Sequence, residues 1–529
     1  MTGRPAQIEQ GYQLLRQGHH SDVLRLCGQV LESSPENPHA LVLAAEAYLQ
    51  DEKPVAALAS MERAIVASGG NPILKLKKGR LLLVMRRRAE IPALVEDVAK
   101  QAAGNGNLLW LLGNLCYRCN MQAEAIRYFE EARALIGDEP GLVYELALAR
   151  FFSGDSEQAE RDLERIPANS PQSAYALYLR ATLRKQTPQR NHVEDLRATI
   201  RKGGHSPADK ASLHYALAKE LEDLEEFDSS FASLRIGAAA QRSTLRYDVG
   251  QDIAAMRDMQ AAYAVSALNA QTTDRDDGEG EGEGAIFVLG LPRSGTTLVE
   301  RFLTQSGQAR SAGELPDFPM LLAEAVAHMA DSRADLTPAA ASLGINFPAL
   351  GREYMRGARE AAGGHRVFID KAPLNFMYCG AIRMALPRAK IIHLVRDPLD
   401  NCYALFKTLF FGAYDYSCDL NELAQYYVAY DQLMRHWHMA MPGKILGVKY
   451  EDLVTTPEAE AKRIYAWCEL EWNDAALDTP KAGQVFATAS AAQVRQPIHR
   501  RSVDSSRRYS TQLASLRDTL LVAGINLKS

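Results

Sequence analysis

The chain has 529 residues, of which 47% are hydrophobic, so it can form roughly two to four domains with buried cores. Its formal net charge is −5, with acidic and basic residues intermixed, which disfavours nucleic acid or a membrane surface as a partner. The first ten residues lack the apolar core of a signal peptide, and no apolar run approaches the roughly 20 residues that cross a bilayer. We therefore expect a soluble cytoplasmic protein without membrane insertion.

The seven cysteines are an odd and sparse set, which favours a reducing compartment over a disulfide framework. Cys116 and Cys119 form the one C-x-x-C pair of the sequence, and no second pair accompanies it. Their spacing is one helical turn, which a repeat helix reaches by chance. We therefore expect no metal or redox centre here.

The first half of the sequence repeats every 34 residues. A turn dipeptide recurs at this spacing, as Asn37-Pro38, Asn71-Pro72, Asn105-Gly106 and Glu139-Pro140. A small residue recurs in step, as Ala45, Gly79, Gly113 and Ala147, and would let the two helices of a hairpin approach. The period is that of tetratricopeptide repeats. The sequence thus predicts an all-α solenoid of stacked hairpins, whose concave face is either a peptide-binding groove or a scaffold surface.

The helical pattern continues from Tyr175 to Ala239 with looser spacing, and one further helix is expected near 252–268. We expect roughly six to seven hairpins over about 5–240, within a solenoid domain of residues 1–268. Residues 269–284 contain four charged residues in a row and three Gly-Glu pairs. Low hydrophobicity and like charge predict an acidic, Gly-rich linker there.

The segment 285–301 has the pattern of a strand, a phosphate-binding loop and a helix. Gly290 and Gly295 stand in the register of the G-x-x-x-x-G-K-[ST] pattern, but Thr296 occupies the position of its Lys. Arg293 within the loop offers a bidentate group for an anion instead. The pattern predicts a phosphate cradle, although an ordinary strand-turn-helix remains an alternative. Without the loop Lys, hydrolysis of ATP or GTP is disfavoured.

Four β-rich runs alternate with helical pattern, at 286–289, 367–369, 391–395 and 445–448. This alternation predicts an α/β domain over residues 285–529, with a parallel sheet that binds ligands beyond the carboxyl ends of its strands. Arg293, Lys371 and Arg396 all fall at such ends. Lys371 and Arg396 could instead be structural partners of Asp370 and Asp397. Three cations at one sheet edge favour a site for a polyanion.

Three motifs in this order resemble the sulfotransferase superfamily: Pro292-Arg293-Ser294-Gly295-Thr296-Thr297, Lys390-Ile391-Ile392-His393-Leu394-Val395-Arg396-Asp397-Pro398 and Val448-Lys449-Tyr450-Glu451-Asp452-Leu453. The resemblance covers residues from about 285 to the C-terminus. It is closest to tyrosylprotein sulfotransferases and to bacterial-type proteins that join tetratricopeptide repeats to such a domain. It implies 3′-phosphoadenosine 5′-phosphosulfate (PAPS) as co-substrate, and no metal.

The resemblance also implies roles for individual residues. The first motif would bind the 5′-phosphosulfate through backbone N–H groups and through Arg293, Ser294, Gly295, Thr296 and Thr297. Glu314 lies 21 residues after Arg293, where the tyrosylprotein enzymes have their general base. Lys371 matches the family's Lys that neutralises charge on the sulfuryl oxygens and the leaving phosphate. Glu314, Lys371 and Arg293 are thus the expected catalytic residues.

The remaining nucleotide contacts are expected from the later motifs. Arg396 would bind the 3′-phosphate, and Tyr450 would help to close over the nucleotide. The segment 490–499 resembles the family's Gln-Val-x-x-Pro segment, and we expect Ser490 and Gln493 to contact the cofactor.

The sequence departs from the family at three places. Ala404 stands where the 3′-phosphate motif normally has Ser, and loss of that hydroxyl contact is worth about 1 kcal/mol unless Lys407 compensates. The segment after Glu314 lacks the Arg with which animal enzymes read acidic peptides. Asp504 and Ser506 replace Gly and Trp, so a basic group would come from Arg500, Arg501, Arg507 or Arg508.

These observations predict a PAPS-dependent sulfotransferase that acts on a hydroxyl acceptor, on a peptide or protein recruited by the repeats, with tyrosine as one candidate. Two alternatives stay open: a catalytically silent repeat scaffold with a nucleotide-binding domain, and a phosphate-loop kinase, which would need a Mg²⁺-binding Asp such as Asp370 or Asp397. The sequence also leaves a homodimer open.

Overall fold

A computed structural model describes residues 6–272, 281–329, 336–479 and 491–527 of the chain. The chain divides into two compact units, residues 1–149 and 150–529. Among the described residues, no helix combines the length and the apolar character that a membrane-crossing segment requires.

The first unit is helical. Its helices are α1 (Ala6–Arg16), α2 (His20–Ser33), α3 (Pro38–Gln50), α4 (Pro54–Ala67), α5 (Pro72–Val84), α6 (Ile91–Ala102), α7 (Gly106–Arg118), α8 (Gln122–Ile136) and most of α9 (Pro140–Ser153). The turn dipeptides mark helix starts because Asn37, Asn71 and Asn105 each accept hydrogen bonds from backbone N–H groups of the first turn. The 34-residue period of the sequence therefore corresponds to the distance along the chain between the N-cap residues of successive hairpins.

The small residue of each repeat is required by close helix packing. A Cβ atom on Gly79 would lie 2.7 Å from a Leu115 methyl, and one on Gly113 would lie 2.6 Å from the Phe129 ring. Cys116 and Cys119 lie at the end of α7, where burial raises their pKa values to about 12 and about 11. Both thiols therefore stay protonated at neutral pH.

The second unit contains a further set of helices and one parallel sheet. Its first helices are α10 (Ser156–Leu163), α11 (Ser173–Thr182), α12 (Val193–Lys202), α13 (Pro207–Asp223), α14 (Phe227–Arg242), α15 (Val249–Ala262) and α16 (Val265–Thr272). The sheet strands are β1 (Ala285–Leu289), β2 (Arg310–Gly313), β3 (Phe368–Asp370), β4 (Lys390–Val395) and β5 (Ile445–Lys449). The strand order is β2-β3-β1-β4-β5, and every pairing is parallel.

The helices that alternate with the strands are α17 (Thr296–Gln305), α18 (Asp317–Ala327), α19 (Pro338–Ser342), α20 (Phe347–Ala361), α21 (Cys379–Ala385), α22 (Pro398–Phe406), α23 (Leu420–Ala440), α24 (Tyr450–Thr455), α25 (Pro457–Trp467), α26 (Ala491–Val494) and α27 (Ala514–Val522). The predicted fold class, an all-α repeat region followed by an α/β parallel-sheet domain, is confirmed. The four predicted strands are present, and β2 is a fifth that the sequence pattern did not indicate.

The central strand β1 is buried on both faces. Ile286 and Val288 pack with Val299 and Phe302 of α17 on one face. Phe287 and Leu289 face a larger core that also contains Tyr215 of α13 and Phe231 of α14. Helices that follow the repeat pattern thus form part of the layer that covers the sheet.

Candidate active site

The loop after β1 has a backbone that depends on glycine. Gly290 has φ +136° and Gly295 has φ +106°, and Arg293 between them adopts the left-handed region with φ +67°. A Cβ on Gly290 would lie 2.5 Å from the carbonyl oxygen of Leu394, and one on Gly295 would lie 2.7 Å from the Tyr450 ring. This compact turn leads directly into α17, whose positive N-terminal end favours an anion.

The hydroxyl groups of the loop are buried. Ser294 is fully buried, and its Oγ has no hydrogen-bond partner among the described residues. Thr296 and Thr297 are also buried, at 4% and 5% exposure. A buried hydroxyl without a partner is costly unless a ligand satisfies it, so Ser294 fits a phosphate or sulfate oxygen.

Two arginines converge on this loop. Arg396, at the end of β4, donates from Nη1 to the Arg293 carbonyl oxygen (3.0 Å) and from Nη2 to that of Ser502 (2.5 Å). Arg396 lies 4.9 Å from the centre of the Tyr450 ring, and its Nε has no partner among the described residues. Burial, together with the nearby Arg396, lowers the pKa of Arg293 to about 10. Two crowded cations of this kind favour a bound anion.

A cleft of about 630 Å³, including its solvent-open mouth, lies between the loop and a C-terminal segment. Seven predicted cofactor-binding residues meet at this site. All seven line the cleft, namely Arg293, Gly295, Thr296, Thr297, Arg396, Tyr450 and Gln493, and Arg293 Nη2 donates a 2.7 Å hydrogen bond to the side-chain oxygen of Gln493. Ser490 lies outside the described residues. The structure therefore brings most of the expected nucleotide contacts together.

Arg301 supports the cleft and was not anticipated from the sequence. Its side chain is 1% exposed and donates to the carbonyl oxygens of Leu477, Asp478, Val494 and Gln496, at 2.7–3.2 Å. It therefore fastens the C-terminal wall of the cleft to α17. The feature of the sequence that corresponds to this role is an arginine placed among the apolar residues Val299, Phe302 and Leu303.

Glu314 and Lys371 form a direct ion pair beside the loop. The Lys371 side chain is 3% exposed and that of Glu314 is 40% exposed. The ammonium group is therefore buried, whereas the carboxylate is open to solvent. Burial alone would lower the pKa of Lys371, but Glu314 and Glu300 raise it above its ordinary value. Lys371 therefore remains a cation at the carboxyl end of β3.

A buried carboxylate, that of Glu300, lies near this pair and favours the charged form of Lys371. Glu300 Oε1 accepts a hydrogen bond from Ser311 Oγ (2.5 Å), and Ser311 Oγ accepts one from the Gly313 N–H (3.0 Å). The Gly313 carbonyl in turn accepts from the Lys371 N–H (3.0 Å). The chain of contacts fixes the backbone on both sides of the Glu314–Lys371 pair. No local pattern of the sequence indicates these contacts, because β2 has no apolar run.

The family departures have structural counterparts. Lys407 pairs with Glu222 of α13 (2.9 Å), so it is not directed to the role of the missing hydroxyl at Ala404. Ser506 donates its N–H to Asp400 (2.8 Å), and Asp504 pairs with Arg507 (3.6 Å). Among the described residues that line the cleft, the arginines are Arg293, Arg301 and Arg396, and none comes from 500–508.

Comparisons with known proteins find similarity to sulfotransferases in this part of the chain. Residues 285–474 match the sequence model of the sulfotransferase family. An uncharacterized protein of Aquifex aeolicus (strain VF5) is 27% identical over 409 residues, which cover 76% of this chain and 53% of that protein. The protein-tyrosine sulfotransferase of Drosophila melanogaster is 25% identical over 213 residues, which cover 36% of this chain and 39% of that protein.

A solved structure, the sulfotransferase domain from the Synechococcus PCC 7002 olefin synthase, is 21% identical, with a TM-score of 0.33, and the match covers 46% of this chain and 95% of that one. The chain spans about half the length of the Aquifex aeolicus protein and less than half that of the Drosophila melanogaster protein. Residues 285–474, with the motifs that lie within them, are thus similar to the sulfotransferase family, and they follow helices that repeat at the tetratricopeptide spacing.

Proposed function

We propose that the protein is a sulfotransferase that moves the sulfuryl group of PAPS to a hydroxyl acceptor. The acceptor is a peptide or protein that the helical hairpins recruit, with tyrosine among the candidate hydroxyls. The observation that carries the proposal is the direct contact of Glu314 with Lys371 at the sheet edge where Arg293 and Arg396 also lie.

The donor nucleotide fits the cleft by its charge. The loop amides, Ser294 Oγ and Arg293 would hold the 5′-phosphosulfate, and Arg396, with an unused Nε donor, would hold the 3′-phosphate. The Tyr450 ring, which lies against both Gly295 and Arg396, would form one wall for the nucleotide.

In the proposed reaction the acceptor oxygen forms a bond to sulfur while the bond from sulfur to the 5′-phosphate oxygen breaks. The acceptor proton passes to the Glu314 carboxylate, and the electron pair leaves with the phosphate as 3′-phosphoadenosine 5′-phosphate (PAP). Lys371, a buried cation, stabilises the negative charge on the sulfuryl group and the leaving oxygen. The arriving donor gives the Lys371 ammonium a second anionic partner, which frees Glu314 to act as base.

The contacts of Asp370 disfavour the kinase alternative. Its Oδ2 accepts hydrogen bonds from Tyr354 (2.7 Å) and Asn375 (3.1 Å), and its Oδ1 accepts from the Leu315 N–H (3.3 Å). A carboxylate with three donors aimed at it is a poor ligand for Mg²⁺. Thr296 in place of the loop Lys points the same way.

The test incubates the protein with PAPS labelled in its sulfur atom and a lysate of its own host, and locates the label by mass spectrometry. Glu314→Gln is expected to reduce label transfer by about 10²–10⁴-fold, the range of a lost general base. Arg293→Ala is expected to abolish transfer through weaker donor binding. Glu469→Gln is the matched control, because Glu469 is an exposed carboxylate paired with Lys390 at the start of β4.

Thermal unfolding separates the alternatives. PAP should raise the melting temperature and ATP should not. Binding of PAP without label transfer would support the silent scaffold, and stabilisation by ATP alone would support the kinase. Transfer that survives both Glu314→Gln and Arg293→Ala would contradict the proposed mechanism.

A further inference from the structure

The C-terminal wall of the cleft is held from the side of the α/β domain by two arginines. Arg293 donates to the side chain of Gln493, and Arg301 donates to the carbonyl oxygens of Val494 and Gln496. Both arginines belong to the phosphate loop or to α17. These contacts leave Arg495, between Val494 and Gln496, directed away from the cleft.

Arg495 is held by the turn that joins α9 to α10. Its Nη2 donates to the Phe152 carbonyl oxygen (2.5 Å). Its Nε lies so close to Gly154 that a Cβ at that position would approach it to 2.6 Å. Gly154 has φ +93°, a left-handed backbone that glycine adopts without strain. Gly154 thus allows this turn its backbone conformation, and its lack of a side chain leaves room for the Arg495 guanidinium.

Other residues of the same helical layer contact α22 and the residues just after it. Tyr178 of α11 accepts a hydrogen bond from the Leu409 N–H (3.2 Å), shortly after α22. Glu222 of α13 accepts hydrogen bonds from Tyr403 (2.9 Å) and Lys407 (2.9 Å), on or just after α22. Helix α22 follows Arg396, the expected ligand of the 3′-phosphate. Contacts from α9 to α13 therefore reach Arg495, in the C-terminal segment, and helix α22, which follows Arg396.

We infer that the turn at Phe152–Gly154 is part of the nucleotide-binding apparatus, because through Arg495 it positions the segment that closes the cleft. Arg495 is a positioning residue, since its own side chain lies outside the cleft lining. The inference rests on the proposed function for the identity of the nucleotide and for acceptor recruitment by the repeats. Its consequence is that the repeat-type helices contribute to donor binding as well as to acceptor recruitment, so the two ligands share a structural element and their affinities can be coupled.

The test is a double-mutant cycle on PAP affinity, measured by calorimetry with the full chain. Arg495→Ala removes the charged donor and should weaken PAP binding about tenfold, as expected for the loss of a hydrogen bond from a charged group. Gly154→Ala should weaken it similarly, because the new methyl group displaces the guanidinium. The double variant should bind no worse than the weaker single variant.

Two variants serve as controls. Gly203→Ala introduces the same kind of backbone cost, since Gly203 has φ +69°, but a Cβ there meets nothing within 4 Å. Arg517→Ala removes an exposed arginine that pairs with Asp518. Both should retain wild-type PAP affinity, and all four single variants should keep the melting temperature of the nucleotide-free protein within a few degrees.

Hydrogen exchange in residues 493–499 of the nucleotide-free protein is a second measurement, independent of any ligand. Faster exchange in Arg495→Ala and Gly154→Ala, but not in the controls, would support the inference. Wild-type PAP affinity and exchange in both variants would overturn it. Failure of the wild-type protein to bind PAP, with the exchange difference present, would instead refute the proposed function and leave the positioning role intact.

Discussion

Asp370, the last residue of β3, has a protonation state that the fold controls. Burial raises the pKa of its carboxyl group to about 7, although Tyr354, Leu315 and Asn375 donate hydrogen bonds that favour the ionised form. In an unfolded chain the same group titrates near pH 4. The folded protein therefore holds a proton that the unfolded chain releases between these pH values.

We predict that this difference destabilises the second unit as pH rises. The contribution of Asp370 is fully present below about pH 4 and is lost as pH rises to about 7, at about 1.4 kcal/mol for each unit of pKa difference. In urea titrations between pH 4 and 7, Asp370→Asn should show a smaller fall in the free energy of unfolding than the wild type. Asp518→Asn, at an exposed site, should keep the wild-type slope, and equal slopes in wild type and Asp370→Asn would contradict the prediction.

At the scale of elements, α17 and β2 are joined by the hydrogen bond between Glu300 and Ser311. We predict that Glu300→Ala lowers kcat for sulfuryl transfer by about tenfold or more, because the backbone that carries Glu314 loses its support. Glu300→Gln should recover most of that loss, since its amide oxygen can still accept from Ser311. The KM for PAPS should change little, because Glu300 does not line the cleft.

A steady-state assay of both Glu300 variants checks this prediction. Glu469→Ala, which removes an exposed carboxylate shortly after α25, is the control. A rise in KM with kcat unchanged would show that Glu300 supports donor binding instead. Equal losses in the Ala and Gln variants would show that the charge of Glu300, and not its hydrogen bond, is what matters.

The same elements explain why the sequence predicted some of the sheet and not all of it. Strand β1 is apolar throughout because both of its faces are buried, and that run is visible in the sequence. Strand β2 has four residues at the edge of the sheet, with Ala312 buried and Arg310 exposed, so it has no apolar run. Its place follows from pairing with β3, which no local pattern records. The hydrogen bond between Glu300 and Ser311 could not be predicted for the same reason, because Ser311 lies on β2.

At the scale of the whole molecule, the sequence indicated which residues line the cleft better than it indicated which residues support them. The motifs that resemble the sulfotransferase family contain Arg293, Arg396 and Tyr450, and all three line the cleft. The partners of Arg495 and Lys407 lie about 340 and 185 residues away, in helices that repeat periodicity describes only as hairpins. In that helical layer, Phe231 packs on Phe406 (6.0 Å) and Tyr509 (5.6 Å), contacts that depend on tertiary structure.

The division into residues 1–149 and 150–529 leads to a prediction for the intact chain. PAP should raise the temperature of one calorimetric unfolding transition, that of residues 150–529, by a few degrees, since a ligand at 100 times its Kd contributes about 2.7 kcal/mol. Gly113→Ala should lower only the other transition, because its methyl group would collide with Phe129 inside the first unit. This variant should bind PAP with wild-type affinity, whereas Gly154→Ala should not. If PAP and Gly113→Ala shifted the same transition, the chain would unfold as one cooperative unit and this prediction would be wrong.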